Sequence, residues 1–215
     1  LYLISVGLSV TLGLMGFVNL AHGVFAMAGG YLAALAIAGG LPWPVMLVIA
    51  PIAVGVIAAV AEKLLYSRLY GRNELDQVLF CIGLIFVVSA LARLSFGPLP
   101  VRLPELLNRN VEVGPFSFYI YKLLVIGLGA MTAALILLCL ERTRIGAIVR
   151  AAVENRGMAE SIGIRTRFVF TATFAFGGAL AALGGMLGAD VFGLNPSYAL
   201  DILVYVQIVV AVAGL

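Results

Sequence analysis

Asn19, His22 and Gly23 are the residues best placed to do chemistry, because Asn19-Leu20-Ala21-His22-Gly23 interrupts the otherwise apolar stretch 1–38. An amide and an imidazole each donate and accept hydrogen bonds, so the pair could handle a small polar solute. Two readings are open. In one, the element is a tight inner-side turn between two complete membrane spans, and His22 is an ordinary satisfied residue. In the other, the helix breaks within the membrane and offers polar groups to a central cavity. Asn19, His22 and Gly23 then line a solute path near the midplane.

A second cluster lies at residues 141–168. Six arginines, Arg142, Arg144, Arg150, Arg156, Arg165 and Arg167, gather there with three acids, Glu141, Glu154 and Glu160. That is nearly half of the chain's 13 Lys and Arg. Apolar residues accompany them at Ile145, Ile148, Val149 and Ala152, then at Met158, Ala159 and Ile162, which is helical spacing. An amphipathic, arginine-bearing helix can dock in a groove of a partner protein or lie on anionic lipid.

Other chemistry has no motif to carry it. The sequence has no GxxxxGK[ST] phosphate loop, GxSxG or HExxH. No catalytic residue is assigned. His22 is the only histidine, so no histidine metal cluster can form, and no metal site is expected. Cys81 and Cys139 lie in apolar runs without CxxC spacing; Cys139 is expected to be a buried packing residue. Asp190 and Asp201 sit at the outer ends of apolar segments, where they suit helix starts. No acid lies mid-span to relay protons.

The elements that must position these residues are membrane helices. The chain is 63% hydrophobic and 11% charged, with mean hydropathy +1.16, whereas soluble proteins carry about 25% charged residues. Seven apolar segments follow: Leu1–Val18, Val24–Ala38, Val45–Ala61, Val78–Phe96, Leu123–Leu140, Val169–Gly188 and Ala199–Ala213. Glu62–Asp76 and Glu141–Phe168 hold nine Lys and Arg between them and are placed in the cytoplasm. Their charge gives no support for nucleic acid as a partner. Gly97–Tyr121, with Arg102, Pro104, Arg109 and Pro115, and Ala189–Tyr198 are then external. Many of the 25 glycines lie inside spans, where small residues let helices approach closely. Both ends fall within or against apolar runs, from Leu1 to Leu215, so residues 1–215 read as one transmembrane domain cut at both ends.

The run Gly13-Leu14-Met15-Gly16-Phe17-Val18-Asn19-Leu20-Ala21-His22-Gly23 through Tyr31 resembles the opening signature of the H-type permease of branched-chain amino acid ABC importers. Glu141-Arg142-Thr143-Arg144-Ile145-Gly146, Arg150–Asn155 and Ala159–Ile164 resemble the same family's cytoplasmic loop. The resemblance implies an all-α polytopic bundle of the type II importer kind, with an inverted repeat. It implies a path for branched-chain or hydrophobic amino acids, with urea or short amides as the alternative substrates; a secondary carrier or channel is the distant alternative. It implies a second, M-type-like permease, an extracytoplasmic binding protein and two separate ATPase subunits that hold ATP and magnesium. Residues 141–168 are then the coupling loop. Glu154, Asn155, Gly157, Met158, Ala159, Ile162 and Gly163 contact an ATPase, with Gly157 and Gly163 ending the turns of the coupling element. The location is the cytoplasmic membrane of a bacterium or archaeon.

Overall fold

The computed structural model describes residues 1–16, 19–101, 110–113 and 116–213. Val18, Arg102, Pro104, Arg109, Pro115 and Leu215 lie outside the described residues. Each of the seven apolar segments is a helix: α1 (Tyr2–Met15), α2 (His22–Ala38), α3 (Trp43–Leu64), α4 (Glu74–Phe96), α5 (Ile120–Arg142), α8 (Thr166–Phe192) and α9 (Tyr198–Val212). The basic loop forms two more, α6 (Arg144–Glu154) and α7 (Arg156–Ser161). The sequence marks several ends. Pro42-Trp43-Pro44 opens α3 with prolines whose missing N–H groups are not needed there. Glu74 and Asp76 place negative charge in the first turn of α4. Gly16, at φ 62°, ends α1 in the left-handed conformation.

Helices α3, α4, α5 and α8 are long and apolar enough to cross a membrane unaided, counting the short 3₁₀ turn Tyr66–Arg68 with α3. The 17 residues of α2 rise only about 25 Å, short of the ~30 Å hydrocarbon layer. In the outer loop, β1 (Asn110–Val113) and β2 (Phe116–Tyr119) pair antiparallel, Asn110 opposite Tyr119.

The bundle is organised around α8, which packs on α1, α2 and α3. It can do so because its glycines meet small residues across each seam. A Cβ at Gly7 would lie 2.6 Å from the Gly177 carbonyl oxygen, and a Cβ at Gly178 only 2.5 Å from Ala58 Cβ. In contrast, α5 buries only Ile136, and α4 only Cys81, Ile85 and Ala92, among the described side chains. The outer faces of both helices are apolar, as lipid or a neighbouring subunit requires.

Loop contacts sort the two ends of the bundle. Residues 62–70 and 156–171 line one cavity of about 1040 Å³, so the two basic loops share an end. At the other end Val101 N–H donates to the Leu194 carbonyl (2.7 Å), joining the two loops assigned to the opposite side. Cys139 corrects an expectation: it is exposed on the sparsely packed α5, and Cys81 is the buried cysteine. Glu62 is another correction. It belongs to α3 rather than to a solvated loop and is only 3% exposed.

Candidate functional site

The Asn19–Gly23 element turns back into the bundle. Met15 at the end of α1 meets the Tyr70 hydroxyl (3.3 Å) at the basic end. His22, the first residue of α2, lies much deeper. Its Nε2 is 3.0 Å from where a Gly7 Cβ would stand. Gly7 in turn backs onto Gly177, near the middle of α8. So α2 starts beside the middle of α8 rather than at the end of the bundle where α1 finishes. This geometry matches a helix broken inside the bundle.

The break is enclosed. Asn19 is 0% exposed and His22 2%. Asn19 Oδ1 accepts a hydrogen bond from the Tyr66 hydroxyl (3.1 Å) and has the Cys81 thiol at 3.7 Å. Phe25 stands edge-on to His22 and to Phe174, and Tyr66 packs on Phe174 and Phe80. Within this apolar sleeve Asn19 Nδ2 and His22 Nε2 are buried without a well-formed hydrogen bond, the imidazole facing the Ile4 backbone. Each such group costs about 1–3 kcal/mol. Neither described cavity, the basic one nor an apolar one of about 420 Å³ beside α5, α6 and α8, is lined by Asn19, His22 or Gly23.

Gly23 faces a structural partner that the sequence reading did not include. A Cβ there would lie 2.6 Å from the Ala199 carbonyl oxygen. Gly23 and Ala199 are the second residues of α2 and α9, so two helix N-termini meet. The turns that lead into them match: His22 N–H donates to the Asn19 carbonyl, and Tyr198 N–H to the Asn195 carbonyl, both at 3.0 Å. The signal was Asn-x-x-ring-small, present in Asn19–Gly23 and again in Asn195–Ala199.

At the basic end, Thr143 caps α6 through Gly146 N–H (3.3 Å), and Arg150 donates to the Leu140 carbonyl. Asn155 then breaks the basic segment. Its backbone is extended, and its Oδ1 accepts from Met158 N–H (3.0 Å), capping α7. Gly163, at φ 88°, follows the end of α7. Gly157 lies inside the first turn and does not end one, because the cap sits two residues earlier. Glu154 is the exposed last residue of α6. Met158 and Ile162 are 67% and 71% exposed, whereas Ala159 is 2% exposed and packs inward.

The tip of α7 is tethered to α8. Arg156 pairs with Glu160 (3.2 Å) and lies over the Phe170 ring (4.9 Å), and the Thr166 hydroxyl donates to Glu160. These bonds, Thr166 first and then Arg156, hold the Glu160 carboxyl below its usual range. Burial, and then the charge of Glu62, push the Tyr70 phenol well above its own. Among the described residues no group of His, Cys, Asp and Glu could hold a metal ion.

Residues 1–215 match the family model described as the branched-chain amino acid transport system permease component. The high-affinity branched-chain amino acid transport system permease protein LivH of Salmonella typhimurium is 32% identical over 90% of this chain and 68% of its own length. The protein of the same name in Escherichia coli K12 is 31% identical over the same shares. The corresponding protein BraD of Pseudomonas aeruginosa is 28% identical, again over 90% and 68%. No solved structure matches the chain. With its whole length matched and its apolar helices arranged as a multi-pass bundle, the chain belongs to the family of branched-chain amino acid transport system permease components.

Proposed function

We propose that this chain is the permease subunit of an ATP-driven importer, forming a path for branched-chain or other hydrophobic amino acids through the cytoplasmic membrane. The substrate class follows the names of its relatives. A second, M-type-like permease completes the path, an extracytoplasmic protein delivers substrate, and two separate ATPase subunits bind ATP and magnesium. The observation that carries the coupling is α7. A short, side-chain-capped helix presents Met158 and Ile162 to the outside at the basic end while its other face is tied to α8. Two large apolar side chains inside a charged rim suit a groove on an ATPase. Asn155 and Gly163 fix the ends of this coupling element; Glu154 and Gly157 lie at its start.

Within the bundle, Asn19, His22 and Gly23 belong to the path, together with the facing turn Asn195–Ala199. Asn19 Nδ2 and His22 Nε2, buried without a well-formed hydrogen bond, support this. Polar groups left unsatisfied in a membrane interior are costly and mark solute routes. Reconstitution tests the whole reading: the four kinds of subunit, assembled in proteoliposomes with ATP inside, should accumulate labelled leucine. An assembled complex that hydrolyses ATP without moving leucine, isoleucine or valine would refute it.

A further inference from the structure

We infer that Glu62 is a positioning residue that ties the ATPase-facing element to the helical bundle, its carboxylate holding α3 against α8 beside α7. Glu62 is the one buried charged side chain among the described residues. Its two oxygens are used separately. Oε1 accepts from the Tyr70 hydroxyl (2.9 Å), and Oε2 accepts from the Thr171 hydroxyl of α8 (2.7 Å). Tyr70 extends the junction to α1 through Met15 Sδ (3.3 Å) and stands edge-on to Phe170 (6.3 Å between ring centres). The other link from Phe170 runs to α7, because the Arg156 guanidinium lies over its ring. Thus α7 rests on α8 through Phe170 and Thr166, and one carboxylate bonds α8 to α3 and to Tyr70, which in turn touches α1 at Met15.

A buried carboxylate with two neutral donors and no ion-pair partner among the described residues is a poor way to gain stability, since hydrophobic replacement of a buried charge is often neutral or stabilising. It is a good way to fix direction. Of its two hydrogen bonds the one from Thr171 crosses from α8 to α3, and a directional bond to a charged acceptor sets that register more sharply than apolar packing does. The position also has a small-residue lead-in. Gly55, Ala58 and Glu62 fall on one face of α3, and Gly55 and Ala58 meet Ala175 and Gly178 of α8. Among the described residues, Glu62 supplies the one hydrogen bond between α3 and α8. A push on α7 is therefore passed to α3 and α1 together with α8, instead of being lost as slip between them.

The inference rests on the coupling role proposed for α7, and the test separates the two. In the reconstituted transporter, the quantity read is ATP hydrolysed per leucine imported. Glu62→Leu, which removes both acceptors, and Thr171→Val, which removes one donor, should each raise it, Glu62→Leu by about tenfold, the weight of a hydrogen bond to a charged group. Thr171→Ser, which keeps the hydroxyl, should restore the wild-type ratio. Melting temperature and ATPase co-purification should stay at wild-type level in Glu62→Leu. An unchanged ratio in both variants overturns the inference. So does loss of ATPase binding confined to the variants, which would make Glu62 a docking or folding residue. Should Glu62→Leu fail to fold, Thr171→Val against Thr171→Ser decides alone. Failure of the wild-type chain to bind any ATPase sinks the proposed function instead.

Discussion

Gly177→Ala adds a single methyl group where α8 crosses α1, and its effect follows from the geometry. The new Cβ would stand 2.8 Å from the Gly7 carbonyl oxygen and 2.8 Å from the Thr11 methyl. Carbon atoms rest at about 3.5 Å or more, so the two helices must part by about 0.7 Å. Both obstacles are on α1, one of them backbone, so no side-chain rotation relieves them. Overpacking of this kind costs about 1–3 kcal/mol. The same displacement disturbs the packing of Gly7 on His22, whose Nε2 sits 3.0 Å from the Gly7 Cβ position. Transport should therefore fall along with stability. Gly127→Ala is the matched control, because a Cβ there meets nothing within 4 Å. Losing a glycine from a helix interior is worth roughly 0.5–1 kcal/mol in favour of folding. Unfolding in mixed micelles can be followed by the reaction of buried Cys81 with a thiol dye in a Cys139→Ala background. Stability should drop for Gly177→Ala and hold or rise for Gly127→Ala. Equal stability in the two variants would refute the close α1–α8 seam, and with it the depth assigned to His22.

Three further outcomes follow from the same geometry. Tyr66→Phe removes the donor to Asn19 Oδ1 while leaving the ring on Phe174 and Phe80; it should cost about 1–3 kcal/mol in the Cys81 assay, because the acceptor stays buried. Met158→Asp should leave the chain folded but abolish ATPase capture in a pull-down, since a charge in an apolar groove costs several kcal/mol. Ala159→Asp, on the buried face, should instead lower the stability of the chain itself. The third outcome concerns pH. The folded-state Glu160 carboxyl is held below its ordinary value by Thr166 and Arg156. Its contribution is thus fully present above the ordinary carboxylate range and is lost as pH falls through the depressed folded value. Protection of residues 156–161 against hydrogen exchange, corrected for the intrinsic pH dependence of amide exchange, should fall over that acidic window, and Glu160→Gln should abolish that fall.

The seven helices were legible because each segment has enough uninterrupted apolar length, and proline, glycine or charge marks its ends. The basic loop was legible as helical from the spacing of Ile145, Ile148, Val149 and Ala152. Its division was harder to read. Met158 and Ile162 continue the apolar pattern, and only the extended backbone of Asn155, stabilised by its bond to Met158 N–H, separates α6 from α7. Ala159 read as part of a docking face because periodicity gives a face without saying what covers it, and in the structure Ala159 is buried. Cys139 shows the same limit. Free cysteines are commonly buried, but α5 packs on little else, so its side chains stay exposed. Glu62 read as the start of a loop because a carboxylate in an apolar run suggests a boundary. Its burial depends on Thr171, which lies 109 residues away, and on Tyr70. Asn195–Ala199 looked like an ordinary outer turn until its approach to Gly23 gave it a counterpart.

Helix α8 lies between the two parts of the molecule to which the proposed function assigns roles, and its sequence suits both. At its start, Thr166, Phe170 and Thr171 carry the polar and cation–π contacts to α7 and Glu62. Farther along, Gly177 and Gly185 meet the backbones of α1 and α2 directly, while Gly178 and Gly184 receive Ala58 of α3 and Ile4 of α1. Close backbone contact holds by van der Waals packing alone, which has no preferred direction along the seam. Hydrogen bonds to a carboxylate do have one. A helix gripped directionally at one end and packed on smooth faces beyond it transmits tilt better than it transmits slip. The break at Asn19–Gly23 adjoins the smooth part, where His22 touches Gly7 and Gly7 touches Gly177. A tilt of α8 at this seam would therefore change the surroundings of His22 through Gly7.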